Sequence, residues 1–115
     1  MAARLETNLR GKFEGNEFEC HAWGLSVKEI TPRIVRNLNL KEKTGVLISG
    51  IRIGGIADEA QVFRGNVLKR VDDIQITDLD QFKELYEDMR QIPQKGRMLY
   101  LKFQNATRFA LLKEK

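Results

Sequence analysis

Most apolar residues of this sequence lie in short runs that are typical of β-strands. Trp23, Leu25 and Val27 alternate with small or polar residues, whereas residues 46–53 are mostly apolar and rich in β-branched side chains. Alternation predicts a half-buried strand, and a continuous apolar run predicts a strand buried on much of both faces. Shorter patterns of the same kind predict further strands at residues 67–71, 74–76, 98–103 and 109–112.

Two segments carry the start signals of helices. Thr31 is a good N-cap and Pro32 suits the first helical position, so a short helix is expected from there to about Asn39. Asp78 caps a longer helix that runs through Arg90, in which apolar residues recur at spacings of three and four. Residues 56–60 form at most a helical turn.

The chain of 115 residues is long enough for one core. Residues 1–20 are charged and lack a sustained period, so they are interpreted as a linker or N-terminal extension, with room for a short strand. The domain then comprises residues 21–115. The economical architecture is a small twisted sheet that closes on itself, with two helices over its open sides.

The composition excludes several classes of protein. With 42% apolar and 31% charged residues the chain is expected to fold. It has neither an apolar run long enough to insert into a membrane nor an N-terminal secretory signal, which suits either a cytosolic protein or a fragment whose targeting signal lay upstream. The net charge is +4 and the pI is near 9.4, but basic and acidic residues are interspersed. This indicates a mixed surface rather than a nucleic-acid interface.

The sequence offers no catalytic or metal-binding set. Cys20 is the only cysteine and His21 the only histidine, so neither a disulfide nor a Cys/His metal site is available. Ser26 and Ser49 lie in predicted strands without the turn of a nucleophilic serine. Residues 50–55 lack the glycine spacing of a dinucleotide loop. We therefore expect no enzyme activity of this chain and no cofactor.

The chain contains, in this order, the motifs AWGL at residues 22–25, ITP at residues 30–32, TGVLI at residues 44–48 and GIADEA at residues 55–60. This series resembles the PDZ domains of bacterial HtrA/Deg (DegP-like) trypsin-like serine proteases. AWGL corresponds to that family's carboxylate-binding loop, and ITP corresponds to the Thr-Pro start of its next helix. TGVLI at residues 44–48 and GIADEA at residues 55–60 resemble its Gly-Val strand and the turn that follows.

The second half continues the resemblance. GNVL at residues 65–68 and VDD at residues 71–73 are similar to the family's Gly-Asp-Val-Ile and Val-Asn-Gly segments. Ile56, Asn66 and Asp73 differ from the usual Pro, Asp and Gly. The implied fold class is mainly β (α+β), a PDZ-like small, partly open barrel of five to six strands capped by two helices.

The resemblance implies a peptide site between the strand after Gly24 and the longer helix. Converging amides near a glycine suit a terminal carboxylate, and an exposed strand edge suits an extended peptide. On the helix, Phe82, Leu85 and Met89 are expected in the core, which leaves another face for the groove. The predicted peptide-binding residues are Ala22, Trp23, Gly24, Leu25, Ser26, Val27, Leu79, Lys83 and Tyr86.

Some of these residues have a second interpretation. Trp23 and Tyr86 could be core aromatics, and Lys83 could be a solvated surface lysine.

The implied function is capture of extended or C-terminal peptide segments by strand addition. The implied partners are a peptide or unfolded-protein C-terminus and an upstream protease domain, with a role in protein quality control in the bacterial periplasm or cell envelope. The alternative is a scaffolding PDZ domain of a secretion-system or intramembrane-protease protein.

Overall fold

The computed structural model describes residues 17–104 and 106–114, which contain seven strands and three helices. The strands are β1 (Glu17–Cys20), β2 (Leu25–Glu29), β3 (Val46–Ile51), β4 (Val67–Val71), β5 (Ile74–Gln75), β6 (Gly96–Phe103) and β7 (Ala106–Lys113). The helices are α1 (Pro32–Asn37), α2 (Ile56–Glu59) and α3 (Leu79–Arg90).

The strands form one antiparallel sheet. Its order is β1-β2-β3-β4-β6-β7, and β5 pairs with β4 beside this path. The mainly β architecture is therefore confirmed, although the described residues hold more strands and helices than expected. The two additions are β1, which falls in the expected linker, and α2, which was expected only as a turn.

Strand β1 makes the end of the N-terminal segment part of the sheet. Glu17–Cys20 pair antiparallel with β2, with Phe18 opposite Val27 and Cys20 opposite Leu25. This strand lies in the segment that was assigned to a linker. Residues 1–16 of that segment lie outside the described residues, so the domain boundary stays a prediction.

Side-chain caps fix the start of two helices. The Thr31 hydroxyl accepts the amide of Ile34 at 3.2 Å, and the Asp78 carboxylate accepts the amide of Gln81 at 2.8 Å. The Gln81 side chain in turn accepts the amide of Thr77, the residue before the N-cap, at 3.1 Å. Both predicted N-caps are confirmed. Helix α1 ends at Asn37, two residues before the expected end.

Helix α3 packs one face on the sheet. Its buried side chains are those of Leu79, Phe82, Tyr86 and Met89, whereas Leu85 is only half-buried. The expected core positions of Phe82 and Met89 are confirmed, and Leu85 packs against the core from its partly buried position. Tyr86 takes the buried position because β1 and the loop before β2 cover it.

None of the helices in the described residues has the length and apolar character needed to span a membrane.

Candidate functional site

The loop that joins β1 to β2 points two amides at one oxygen. The N–H groups of Trp23 and Gly24 donate to the carbonyl of Cys20 at 3.1 and 2.9 Å. Gly24 has φ +74°, a conformation that glycine adopts without steric cost. These are the bonds of a tight turn, and they bring together the amides of two predicted binding residues, Trp23 and Gly24.

Contacts behind the loop hold these amides in place. The carbonyl of Trp23 accepts the amide of Ala57 at 3.0 Å, and that of Gly24 accepts the amide of Arg52 at 2.9 Å. A Cβ on Gly24 would lie 3.2 Å from the Cα of Gly55, so the two backbones approach closely there. None of these partners belongs to β1.

Arg52 gives the loop a positive charge that the sequence analysis missed. Its guanidinium donates to the carbonyl of His21 at 2.6 Å. It also borders an open depression of about 360 Å³ that reaches Cys20 and Gly24. Arginine at this position is suited to an anionic ligand group. No motif in the sequence marked it.

Trp23 is a core residue in this structure, which was the second interpretation of its sequence position. Its side chain is 1% exposed and meets the rings of Phe82 and Tyr86 edge to face, at centroid distances of 6.1 and 5.1 Å. The indole N–H donates to Glu114 at 2.9 Å. The side chain of Trp23 thus anchors the loop, and its backbone amide supplies the donor.

The carboxylate of Glu114 joins the C-terminus to this anchor. It accepts hydrogen bonds from Trp23, from the amide of Gln94 and from the guanidinium of Arg97, which is 3% exposed. Partial burial raises the pKa of Glu114, but these hydrogen bonds and the Arg97 charge outweigh it, so the pKa lies below its ordinary value.

The predicted strand wall of the site lies on one face of β2. Leu25 is 5% exposed and Val27 is fully buried. Ser26 points to the opposite face, where its hydroxyl lies 3.0 Å from that of Ser49. The structure therefore brings Leu25 and Val27 together with α3 and separates Ser26 from them.

The space between β2 and α3 is occupied by β1. The Phe18 ring meets Tyr86 and Phe82 edge to face, at centroid distances of 5.6 and 6.4 Å. The ammonium of Lys83 lies 5.7 Å from the centroid of the Phe18 ring. Tyr86 and Lys83, two predicted groove residues, thus contact the chain's own strand. Leu79 is 1% exposed at the start of the helix.

A hydrogen bond ties the hairpin of β1 and β2 to α3. The amide of Ala22 donates to the hydroxyl of Tyr86 at 3.0 Å. Burial is the main cause that raises the pKa of this phenol. Cys20 is fully buried, and burial, reinforced by the negative charge of Glu87, raises the pKa of its thiol strongly. Phe18 and Cys20 were not predicted as site residues, because an alternation of two residues is too short to indicate a strand.

The ionisable residues beside the loop form no catalytic set. His21 pairs with Glu19 at 3.4 Å, and both side chains are largely exposed. The hydroxyls of Ser26 and Ser49 bind Glu17 on the outer face of the sheet. Within residues 17–104 and 106–114, no cluster of three or more His, Cys, Asp or Glu could hold a metal ion.

Comparison with solved structures identifies the fold. No protein-family model and no curated protein sequence matches the chain. The structure is similar to that of the HtrA3 PDZ domain bound to a phage-derived ligand (FGRWV), with a TM-score of 0.64 and 13% identity over 80% of this chain and 82% of that chain.

It is also similar to the HtrA-type protease AlgW with a decapeptide, with a TM-score of 0.68 and 20% identity. That match covers 79% of this chain and 27% of the AlgW chain. The described part of this chain therefore has the fold of a PDZ domain.

Proposed function

We propose that this chain is a peptide-binding module whose site is the groove between β2 and α3. One observation carries the proposal: the groove already holds an extended segment, β1, paired antiparallel with β2. A surface that binds one strand through backbone hydrogen bonds and side-chain pockets is suited to another of similar chemistry.

The loop amides suit a C-terminal carboxylate. Trp23 and Gly24 donate to a single carbonyl oxygen, that of Cys20, at the end of β1. A ligand that ends at this point would place a carboxylate oxygen there, with the Arg52 guanidinium nearby. Charge-assisted hydrogen bonds are about twice as strong as neutral ones, so a free C-terminus should bind better than an internal segment.

The experiment compares a peptide acid with its C-terminal amide by isothermal titration. Losing one charge-assisted hydrogen bond costs about 1.5–3 kcal/mol, so amidation should weaken binding roughly ten- to a hundred-fold. Competition from β1 lowers both apparent affinities by the same factor and leaves their ratio unchanged. Equal affinities would show that the amides near Gly24 do not read a carboxylate.

The wider context is also proposed. The AlgW likeness supports a substrate-binding or regulatory domain of an HtrA-like serine protease, with an upstream protease domain as partner, in the periplasm or cell envelope. The chain itself would have no proteolytic activity, since the hydroxyls of Ser26 and Ser49 bind each other and Glu17 rather than its one histidine. Incubation with unfolded casein should leave the substrate intact. Casein cleavage that is lost in the His21→Ala variant would contradict this expectation.

A further inference from the structure

Strand β1 lies in the groove with the polarity of a C-terminal ligand. It runs antiparallel to β2, so its last residue, Cys20, lies opposite Leu25 at the loop. The Cys20 carbonyl accepts both loop amides. Backbone pairing, direction and the oxygen at the end of the segment thus all match the peptide geometry proposed above.

The side chains of β1 fill the two positions that face inward. Residues opposite each other in an antiparallel pair share a face, so Phe18 lies with Val27, and Cys20 lies with Leu25. Cys20 is fully buried, and Phe18 packs on α3. The groove therefore holds a small apolar side chain at the last position and an aromatic ring two positions earlier.

The other face of β1 carries polar contacts that hold it to the sheet. The Glu17 carboxylate accepts hydrogen bonds from the hydroxyls of Ser49 at 2.7 Å and Ser26 at 3.3 Å. These contacts are solvent-exposed, where such interactions contribute little. A four-residue strand held in this way is a candidate for local opening without global unfolding.

Part of the loop is held from outside β1. Its carbonyls at Trp23 and Gly24 are bound by Ala57 and Arg52, which lie in or next to α2 and β3. Release of β1 would break the turn bonds from the amides of Trp23 and Gly24 to Cys20, while the contacts with Ala57 and Arg52 would still hold these two residues.

We propose that Glu17–Cys20 is an intramolecular ligand that blocks the groove, and that the external ligand is a free peptide C-terminus with an aromatic residue two positions before a small apolar last residue. This rests on the proposed function of the same groove. If β1 is docked in about 99% of molecules, an external peptide binds about 100-fold more weakly than to the open groove.

The test uses Cys20 as a reporter, because it is the only thiol of the chain. The probe is the peptide Asn-Glu-Phe-Glu-Abu with a free C-terminus, in which 2-aminobutyrate (Abu) has the shape of cysteine without the thiol. Displacement of β1 should expose Cys20, so a saturating concentration of the probe should accelerate its alkylation by iodoacetamide at least several-fold.

The matched variants are Phe18→Ala, which removes the ring from the groove, and Phe109→Ala, which removes an exposed ring from β7. The full-length Phe18→Ala chain should bind the probe about ten-fold more tightly than the wild type, since β1 competes less. Phe109→Ala should bind it with unchanged affinity. Global destabilisation would also speed alkylation but would not tighten binding, so the two readouts together report on β1.

The possible failures are distinct. If the probe binds the wild type but leaves Cys20 alkylation unchanged, and Phe18→Ala binds no more tightly, the intramolecular ligand is refuted and the binding module stands. If neither the wild type nor a folded Phe18→Ala chain binds the probe or other C-terminal peptides, the proposed function itself is refuted.

Discussion

The hydroxyl of Tyr86 accepts a hydrogen bond from the amide of Ala22 at 3.0 Å, which ties the middle of α3 to the loop before β2. The same ring packs edge to face against Phe18 and Trp23. Tyr86 therefore connects the helix, the loop and the strand that fills the groove. Substituting it by Phe or by Ala separates the contribution of its hydrogen bond to stability from that of its ring.

Substitution of Tyr86 by Phe should lower the stability modestly. The ring contacts with Trp23 and Phe18 remain, and only the hydrogen bond to the Ala22 amide is lost, at a cost of about 0.5–1.5 kcal/mol. Urea unfolding measures the change. Tyr100→Phe is the control, because it removes the hydroxyl of a half-buried tyrosine in β6 and keeps the stacking of its ring on Phe109. Equal effects of the two substitutions would contradict the role of the bond.

Substitution of Tyr86 by Ala should have a larger effect, since the side chain is 3% exposed. Removing a buried aromatic ring typically costs about 3–5 kcal/mol, and Phe82→Ala should cost a similar amount. Thermal unfolding of both variants measures this. If the folded fraction of Tyr86→Ala bound peptide like the wild type, α3 would present a different face to the groove.

The buried guanidinium of Arg97 should be indispensable for stability. It binds Glu114 and the carbonyls of Met89 and Ile92, at 2.9, 3.0 and 2.7 Å. Removing one partner of a buried ion pair costs about 3–5 kcal/mol, so Arg97→Ala should lower the urea midpoint strongly. Arg97→Lys should restore only part of the stability, because an ammonium lacks the planar set of N–H donors of a guanidinium. Full rescue by lysine would show that charge alone matters.

Acid should destabilise the fold through Glu114. Its pKa in the folded chain lies below the ordinary value of 4.5, so the stability it contributes is present above pH 4.5 and is lost as the pH falls through the folded pKa. Glu114→Gln should show a shallower loss of unfolding free energy with acid than the wild type. Parallel pH profiles would mean that another carboxylate controls acid unfolding.

A comparison of Gly24 with Gly54 separates the cost of backbone strain at positive φ from the cost of a steric contact with Gly55. Both have positive φ, +74° and +85°, but an added Cβ meets the Gly55 backbone only at Gly24. Gly54→Ala should cost about 1 kcal/mol, and Gly24→Ala should cost more and also weaken peptide binding. Denaturation and titration of the two variants check this. Equal losses would show that the approach to Gly55 is unimportant.

The sequence predicted best what is determined locally. The caps at Thr31 and Asp78 follow from side chains that bind neighbouring amides, so a few residues suffice to identify them. The predicted end of α3 at Arg90 is also confirmed. The loop around Gly24 was predicted from the family resemblance and from the close approach of backbone amides to an anion that a glycine permits.

Tertiary contacts explain what the sequence did not predict. Phe18 and Cys20 form a pattern of only two inward residues, and their burial depends on β2 and α3, which lie elsewhere in the chain. The burial of Tyr86 depends on the same strand, β1, which packs on α3. The sequence of α3 has apolar residues on two adjoining faces and does not show which of them another element covers. For that reason Leu85 rather than Tyr86 was assigned to the core.

Alkaline pH should destabilise the wild type through Cys20. Burial and the charge of Glu87 raise the pKa of this thiol above its ordinary value of 9.0, so its contribution to stability is complete below pH 9 and is lost as the pH rises towards the folded pKa. Tyr86, whose pKa is also raised, adds a second loss at higher pH. Cys20→Ala should therefore lose less unfolding free energy than the wild type between about pH 8 and 10. At higher pH it should still show the loss that ionisation of Tyr86 causes.

Urea midpoints across this range measure the stability of both chains, and thiolate absorbance reports ionisation of Cys20 directly. A wild-type thiolate signal with the ordinary pKa would show that β1 is open in solution, in contradiction to its docked position.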